Sequence, residues 1–399
     1  MIRRRTFIFL AIFFVILGST YFVIKLAKGY KPDFSRKTFL PTGLLVATSI
    51  PDGGQIFVDG KLKSATNTTI SLSPDTYEVE IKKDGFNLWK KTLKIEKELV
   101  VKTEAYLFPQ VPDLKALTFT GAANPTLSPD ETKVVYSVSK AEIGKNGLWV
   151  QELSELPFGI SREPRQILQS APGGRDFSKS KYEWSPDSKQ ILINLKGVKT
   201  EENFLLDPNT LTSATELIDV SGNLVTILHQ WEKEAKQRTE QKLKKLPLTL
   251  LEILQNTSKD IVFSLDETKI LYTATASAKI QDNLIPPIPA ASTQKQERTL
   301  KPGQTYVYDI KEDRNFLITE TGQKTEGLVL SWFPTSKHLI QVEKDKITIM
   351  EYDGTNRTVV YFGPYEFPFA FPFPSGNKIL ILTALGKDQP FNLYAVSLR

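Results

Sequence analysis

The sequence predicts an all-β protein held by one N-terminal membrane helix, and three observations lead there. An uncharged apolar run near the start is long enough to cross a bilayer. A short region after it alternates apolar and polar residues between Asp-Gly turns. The remainder repeats a strand, a Ser-Pro-Asp-like turn and a returning strand five times. Together these give a transmembrane helix, a small β-sandwich and a β-propeller carrying a helical insertion. Five blades fit the number of repeats, with six as the alternative.

Composition narrows the chemistry. Of 399 residues, 40% are apolar and 24% charged, enough apolar side chains for sizeable cores. Cysteine is absent, which excludes disulfides, zinc thiolates, iron–sulfur clusters, thiol nucleophiles and cysteine lipidation. The two histidines, His229 and His338, are too few and too far apart to suggest a histidine-rich metal site. A net charge of +6, partly spent on Arg3, Arg4 and Arg5, does not indicate a nucleic-acid partner.

The first element is the run Thr6 to Ile24, nineteen residues without a charge. At the rise of an α-helix it spans about 28 Å, close to the thickness of the hydrocarbon core. We place the helix at 6–26 and read it as an uncleaved anchor. A signal peptide is the competing reading, but an apolar region of about 7–15 residues would suffice for one, and "YFVI" continues past the small residues of "LGST". Arg3, Arg4 and Arg5 precede the helix and Lys25, Lys28 and Lys31 follow it, so the positive-inside rule puts residues 1–5 in the cytoplasm. The bulk of the chain is then extracytoplasmic, with the lipid bilayer as partner of 6–26 and no cytoplasmic partner expected. Residues 27–42, polar and broken by Pro32 and Pro41, read as a stalk.

Residues 43–108 carry alternating strands with turns at Pro51-Asp52-Gly53-Gly54, Asp59-Gly60, Ser73-Pro74-Asp75 and Asp84-Gly85. An antiparallel sandwich follows from that pattern. The stretch resembles the PEGA domain through Gly43, Leu45, Val46, Ser49, Pro51, Gly53, Ile56, Val58, Asp59, Gly60, Thr68, Leu72, Pro74, Tyr77, Val79, Lys83, Gly85 and Phe86. It departs at Asp52, Gly54 and Ser64. The resemblance implies a surface or envelope setting and no catalysis.

Residues 113–399 hold the repeats. Aligning Ser128, Ser185, Ser264, Phe333 and Phe373 gives spacings of 57, 79, 69 and 40 residues, the last being the bare unit. A third strand follows each hairpin and a fourth, such as "PRQILQ" or "ATELIDV", follows the first four. The fifth copy lacks its fourth strand, and "KALTFTG", Lys115 to Gly121, supplies it from upstream. Ser128, Pro129, Asp130, Ser185, Pro186, Asp187, Ser264 and Asp266 are turn residues on this reading, each Asp satisfying backbone N–H groups. The repeats resemble the TolB-like and WD40-like propellers of bacterial envelope proteins, which carry a hairpin of this kind.

Two insertions interrupt the pattern. Residues 226–255 show a diluted helical stripe of Ile227, Leu228, Trp231, Ala235, Leu243 and Leu246, broken at Pro247 before a second helix. Their basic residues, Lys233, Lys236, Arg238, Lys242, Lys244 and Lys245, form either a docking surface or a solvated face balanced by Glu232, Glu234 and Glu240. Residues 278–304 are Pro-rich and polar and read as a flexible loop.

Catalytic sets are not recognisable: no nucleophile elbow, zinc-binding helix, phosphate loop or calcium loop is present, and no cofactor is expected. The aromatic run Tyr361 to Pro374 offers Tyr365, Phe367 and Phe369 either as a binding mouth or as packing between blades. The favoured reading is a non-enzymatic, membrane-anchored scaffold whose propeller meets an envelope protein or a surface glycan. The alternative is an extracellular propeller hydrolase or lyase acting on a polymer through carboxylates and tyrosines of its central funnel.

Overall fold

The computed structural model describes residues 2–27, 29–33, 38–142, 144–157, 160–171, 175–196, 201–319, 327–386 and 388–399. The chain forms two compact units: Met1–Phe108 with Pro286–Lys295, and Pro109–Ile285 with Gln296–Arg399.

The first unit opens with helix α1 (Ile2–Ala27), in which Thr6–Ala27 is long and apolar enough to cross a membrane and is not buried against protein. The side chains of Arg3, Arg4 and Arg5 lie outside the described part. The expected stalk is more structured than a polar linker. Strands β1 (Lys31–Asp33) and β2 (Thr38–Leu40) pair antiparallel. Tyr30 donates its hydroxyl to Glu98 at 2.5 Å, and Lys31 donates to the Ser71 carbonyl at 3.1 Å. Pro32 fits at the edge of so short a ladder because its missing N–H is not needed there.

Seven strands build the sandwich: β3 (Gly43–Ile50), β4 (Gln55–Val58), β5 (Lys61–Ala65), β6 (Thr68–Leu72), β7 (Asp75–Lys82), β8 (Trp89–Ile95) and β9 (Val100–Tyr106). They form two sheets, β6-β3-β9 and β5-β4-β7-β8. Alternation does the work: every second residue of β3 is buried, and Leu45, Ala47, Ile56, Val58, Val79 and Ile81 meet in one core. The predicted turns take the left-handed backbone they need, with φ of 75° at Gly53 and 73° at Gly60. A Cβ on Gly54 would stand 2.7 Å from Ile81 Cγ2, so any larger residue there would force the core to shift.

One expectation is corrected. The sandwich is not wholly antiparallel, because β9 runs parallel to β3, Leu44 opposite Val100. The chain passes from one sheet to the other between β8 and β9, and the returning strand enters beside β3 in the same direction. The segment Pro286–Lys295 also belongs to this unit: Gln294 Nε2 donates to the Thr92 carbonyl at 2.7 Å and Lys94 N–H to Thr293 Oγ1 at 3.4 Å.

The second unit is the propeller. After β10 (Leu114–Ala116), the first sheet contains β11 (Ala123–Leu127), β12 (Lys133–Val138) and β13 (Gly147–Glu152). A two-stranded hairpin, β14 (Glu155–Leu156) with β15 (Ile160–Ser161), precedes the outer strand β16 (Arg165–Gln169). The second sheet is β17 (Lys181–Trp184), β18 (Ile191–Lys196) and β19 (Glu201–Leu206). Here the expected fourth strand "ATELIDV" does not form. Instead β20 (Thr212–Ser213) joins the first sheet parallel to β16, and one bridge, Phe204 to Asp219, touches β19. Arg165, which donates to the carbonyls of Pro208 and Asn209, holds the segment against the first sheet.

Helices α2 (Leu224–Leu243) and α3 (Leu248–Thr257) come next, with Pro247 at the N-cap of α3 where the sequence predicted a break. The third sheet is β21 (Ser258–Phe263), β22 (Lys269–Ala274), β25 (Thr305–Asp309) and β26 (Arg314–Leu317). Between them the insertion 278–304 is anchored rather than free along its length. Its ends pair as β23 (Ala278–Lys279) and β24 (Thr299–Leu300), and the half-buried Arg298 lies 3.3 Å from the buried Asp313. The fourth sheet is β27 (Val329–Trp332), β28 (His338–Val342), β29 (Lys346–Glu351) and β30 (Thr358–Phe362). The last is β31 (Ala370–Pro372), β32 (Lys378–Thr383) and β33 (Asn392–Ser397), completed by β10 with Lys115 opposite Ala395. The strand expected at Lys115–Gly121 is thus present, shorter and one residue earlier.

Neighbouring sheets are joined by a recurring device. Asp130 N–H donates to Ser188 Oγ at 3.1 Å and Trp184 Nε1 to the Thr126 carbonyl at 3.1 Å, tying the first sheet to the second. Asp266 N–H to Ser336 Oγ at 3.1 Å and Trp332 Nε1 to the Val262 carbonyl at 2.9 Å repeat it between the third and fourth. At the seam between fifth and first sheets, Glu155 accepts from Lys378 at 2.6 Å, Asn377 at 2.7 Å and Ser375 at 3.0 Å.

Candidate binding groove

The turn residues behave as their chemistry requires. Ser128 donates to Asp130 at 2.5 Å, Ser185 to Asp187 at 2.7 Å and Ser264 to Asp266 at 2.7 Å. Each carboxylate also accepts a backbone N–H, from Thr132, Lys189 and Thr268. Burial pushes the Asp130 and Asp266 carboxyls up, but these hydrogen bonds outweigh it and hold both below the ordinary range. The Ser185 hydroxyl, first among the causes, does the same for Asp187. These aspartates lock their turns.

Two of the three aromatic candidates pack against protein. Tyr365 is buried and donates its hydroxyl to the Glu343 carbonyl, with its ring edge-on to Tyr361 at 5.9 Å. Phe369 packs against the core shared by the fifth and first sheets, beside Phe371. Phe367 stays half-buried. Tyr365 and Phe369 thus both have packing roles.

His229 is exposed, and His338 is buried in β28 with Nδ1 2.8 Å from Thr335 Oγ1. Neither is a ligand in a cluster: among the described residues no three His, Cys, Asp or Glu side chains stand together as a metal site.

The feature that does gather recognition chemistry is a groove of about 700 Å³ in the second unit, lined by Pro129, Trp184, Pro186, Leu228, Trp231 and Ala235, with Glu183, Glu232, Arg238 and Thr239. Three segments make it: the turns after β11 and β17, and one face of α2. Helix α2 is polar over most of its length, and only Trp231 and Leu243 are buried. Its position is fixed elsewhere. Leu243 and Leu246 join Leu250 and Leu254 of α3 against Ile270, Tyr272 and Tyr306 of the third sheet. Arg238 donates to the Pro186 carbonyl, while Lys242 and Lys245 each reach Glu267 at 3.2 Å. Three of the six basic residues singled out from the sequence are therefore bound within the protein. A second groove of about 440 Å³ adjoins the first, sharing Glu183 and Leu228.

Sequence spacing could not have found this groove, since residues near 129, 184 and 231 meet only through the fold. The hint was Trp231, an aromatic residue on a helix otherwise rich in charge.

Comparison with known proteins fits the smaller unit best. Residues 42–110 match the PEGA domain. That range covers the seven-stranded sandwich and extends it by one residue at the start and four at the end. No curated protein matches the chain. Among solved structures, a TolB described as putative from Agrobacterium tumefaciens is 13% identical, covering 76% of this chain and 76% of that one at a TM-score of 0.22. TolB from Acinetobacter baumannii is 12% identical over 81% of this chain and 59% of that chain, with a TM-score of 0.23. The WD40 repeats of RRP9 are 8% identical over 73% and 99%, at 0.30. Scores this low leave the propeller assignment to the order of the strands.

Proposed function

We propose that this chain is a non-enzymatic, membrane-anchored scaffold of the cell envelope whose propeller binds another macromolecule outside the cytoplasm. The groove beside α2 carries the reading. It combines buried apolar walls with exposed carboxylates, the usual make-up of a recognition site, and two of the turn locks, at Pro129 and Pro186, give it rigid walls. The apolar α1 helix supports attachment to a bilayer, and the PEGA match supports an extracytoplasmic setting.

A photo-crosslinking residue at Ala235, in the full chain and in intact cells, tests the proposal against the same residue at exposed Phe362. Adducts specific to position 235 are expected. Equal adducts from both positions, or none from 235, would rule it out. Protease added to intact spheroplasts should digest the propeller while leaving α1 in the membrane; a protected propeller would refute the topology.

A further inference from the structure

The groove has a definite charge and shape, and these point to a partner class. Glu183 and Glu232 are both exposed on its lining, and neither carboxylate has an ion-pair or hydrogen-bond partner among the described residues. The single arginine of the lining, Arg238, is held by the Pro186 carbonyl and pairs with neither carboxylate. The lining thus carries two carboxylates to one guanidinium beside an apolar surface, a net negative balance that favours a cation attached to an apolar segment.

Shape decides what kind of segment. Trp184 and Trp231 are only 6% and 8% exposed, so neither offers the open ring face on which a sugar ring would stack. What they offer, with Pro129 and Pro186, is rigid apolar walls. Such walls suit a polyproline II strand, which is extended, already ordered and leaves its carbonyls free to accept hydrogen bonds. A donor is in place for one of them. The indole N–H of Trp231 has no hydrogen-bond partner among the described residues, unlike that of Trp184, which bonds the Thr126 carbonyl. The adjoining groove continues the path past Glu183, giving an extended ligand somewhere to run.

We propose that the α2 groove binds an extended, proline-containing segment of a partner protein bearing a lysine or arginine beside its prolines. The prolines sit on Pro129 and Pro186, the cation meets Glu183 and Glu232, and a peptide carbonyl accepts from Trp231 Nε1. This deepens the binding role proposed above and rests on it.

The test uses the full chain in nanodiscs and an array of dodecapeptides, each with two prolines three residues apart and one lysine at a varied position. Matched controls carry glutamate for lysine or alanine for both prolines. Saturable binding is expected for some lysine peptides, weakened tenfold or more by either control change. The double variant Glu183→Gln/Glu232→Gln should weaken it to a similar extent, and Ala235→Trp should abolish it by filling the groove. All three positions are exposed, and an unchanged thermal melt confirms the fold. The inference is overturned if no peptide saturates, or if binding survives both the double variant and Ala235→Trp. A glycan that binds in a parallel array and is lost in Ala235→Trp, while peptides do not bind, also overturns it. In that last case position 235 would still crosslink in cells, so the broader binding role would stand alone.

Discussion

The seams between neighbouring sheets of the propeller are sealed in two different ways. First to second and third to fourth are joined by short neutral groups that belong to the repeat itself: a serine hydroxyl taking an aspartate N–H and a tryptophan N–H on a backbone carbonyl. Each of these seams also has a continuous apolar core, such as Val135, Leu148 and Ile167 with Trp184, Ile191 and Ile193. On the helix-bearing side of the third sheet the pattern changes. Its apolar cluster is completed by Leu243, Leu246, Leu250 and Leu254 of the helices, and the polar ties are long charged side chains from α2. An insertion has taken over the role of a repeat contact, and that is where the groove opens. Charged ties on the surface hold a position without filling space, whereas a tryptophan in a shared core does both.

The contrast can be broken at its strongest point first. Trp332→Ala removes a buried ring from the core linking the third and fourth sheets together with its bond to Val262, and should cost about 3–5 kcal/mol. Chemical denaturation measures it; a loss under about 1 kcal/mol would mean that the seam does not depend on the indole.

Next is the closing seam. Burial raises the Glu155 carboxyl, but Lys378, Asn377 and Ser375 more than offset this, and its pKa is held below the ordinary 4.5. A carboxyl lowered by folding stabilises the fold above its unfolded pKa, and the gain disappears as pH falls through the folded value. Glu155→Gln should cost roughly 1.5–3 kcal/mol at neutral pH, the range for hydrogen bonds to charged groups, and should flatten the acid side of the stability profile. Unchanged acid sensitivity in the variant would count against the seam.

Ser188→Ala and Ser336→Ala should follow, each leaving one backbone N–H without its acceptor at a cost of about 1–3 kcal/mol. Equal losses at the two sites would show that the repeat contact is the same device twice. Glu267→Gln should have the smallest effect, since its partners Lys242 and Lys245 are solvent-exposed in part and salt screens such pairs. Melting temperature measured at low and high salt checks this: the difference from the parent should vanish at high salt, and a difference that persists would make α2 a tie of the same class as the tryptophans.

How legible all this was in the sequence depended on how local the physics is. The Ser-Pro-Asp turns could be read because serine, aspartate and the following N–H satisfy one another within five residues. The closing strand could be read because a repeat with a missing member needs a substitute, and β10 provides it. Strand direction was not readable, since alternation in β9 is the same whether it lies parallel or antiparallel to β3. Nor was the destination of residues 212–213, which pair with β16 rather than with the second sheet while Arg165, nearly fifty residues earlier, holds Pro208 and Asn209 just before them. Tyr365 and Phe369 illustrate the same limit at the level of a site. Alternating aromatics look identical in sequence whether they face a ligand or a neighbouring sheet, and here they face protein.

The pairing of β10 with β33 also sets an order of events in time. Leu114 emerges well before its partner Val396, so the edge of β10 must wait while the chain between them is made before it can be matched. Contacts so far apart in sequence form slowly, because the intervening chain must be gathered first. Sheets two, three and four can each fold as their own strands appear, but the circle is completed in a single late step.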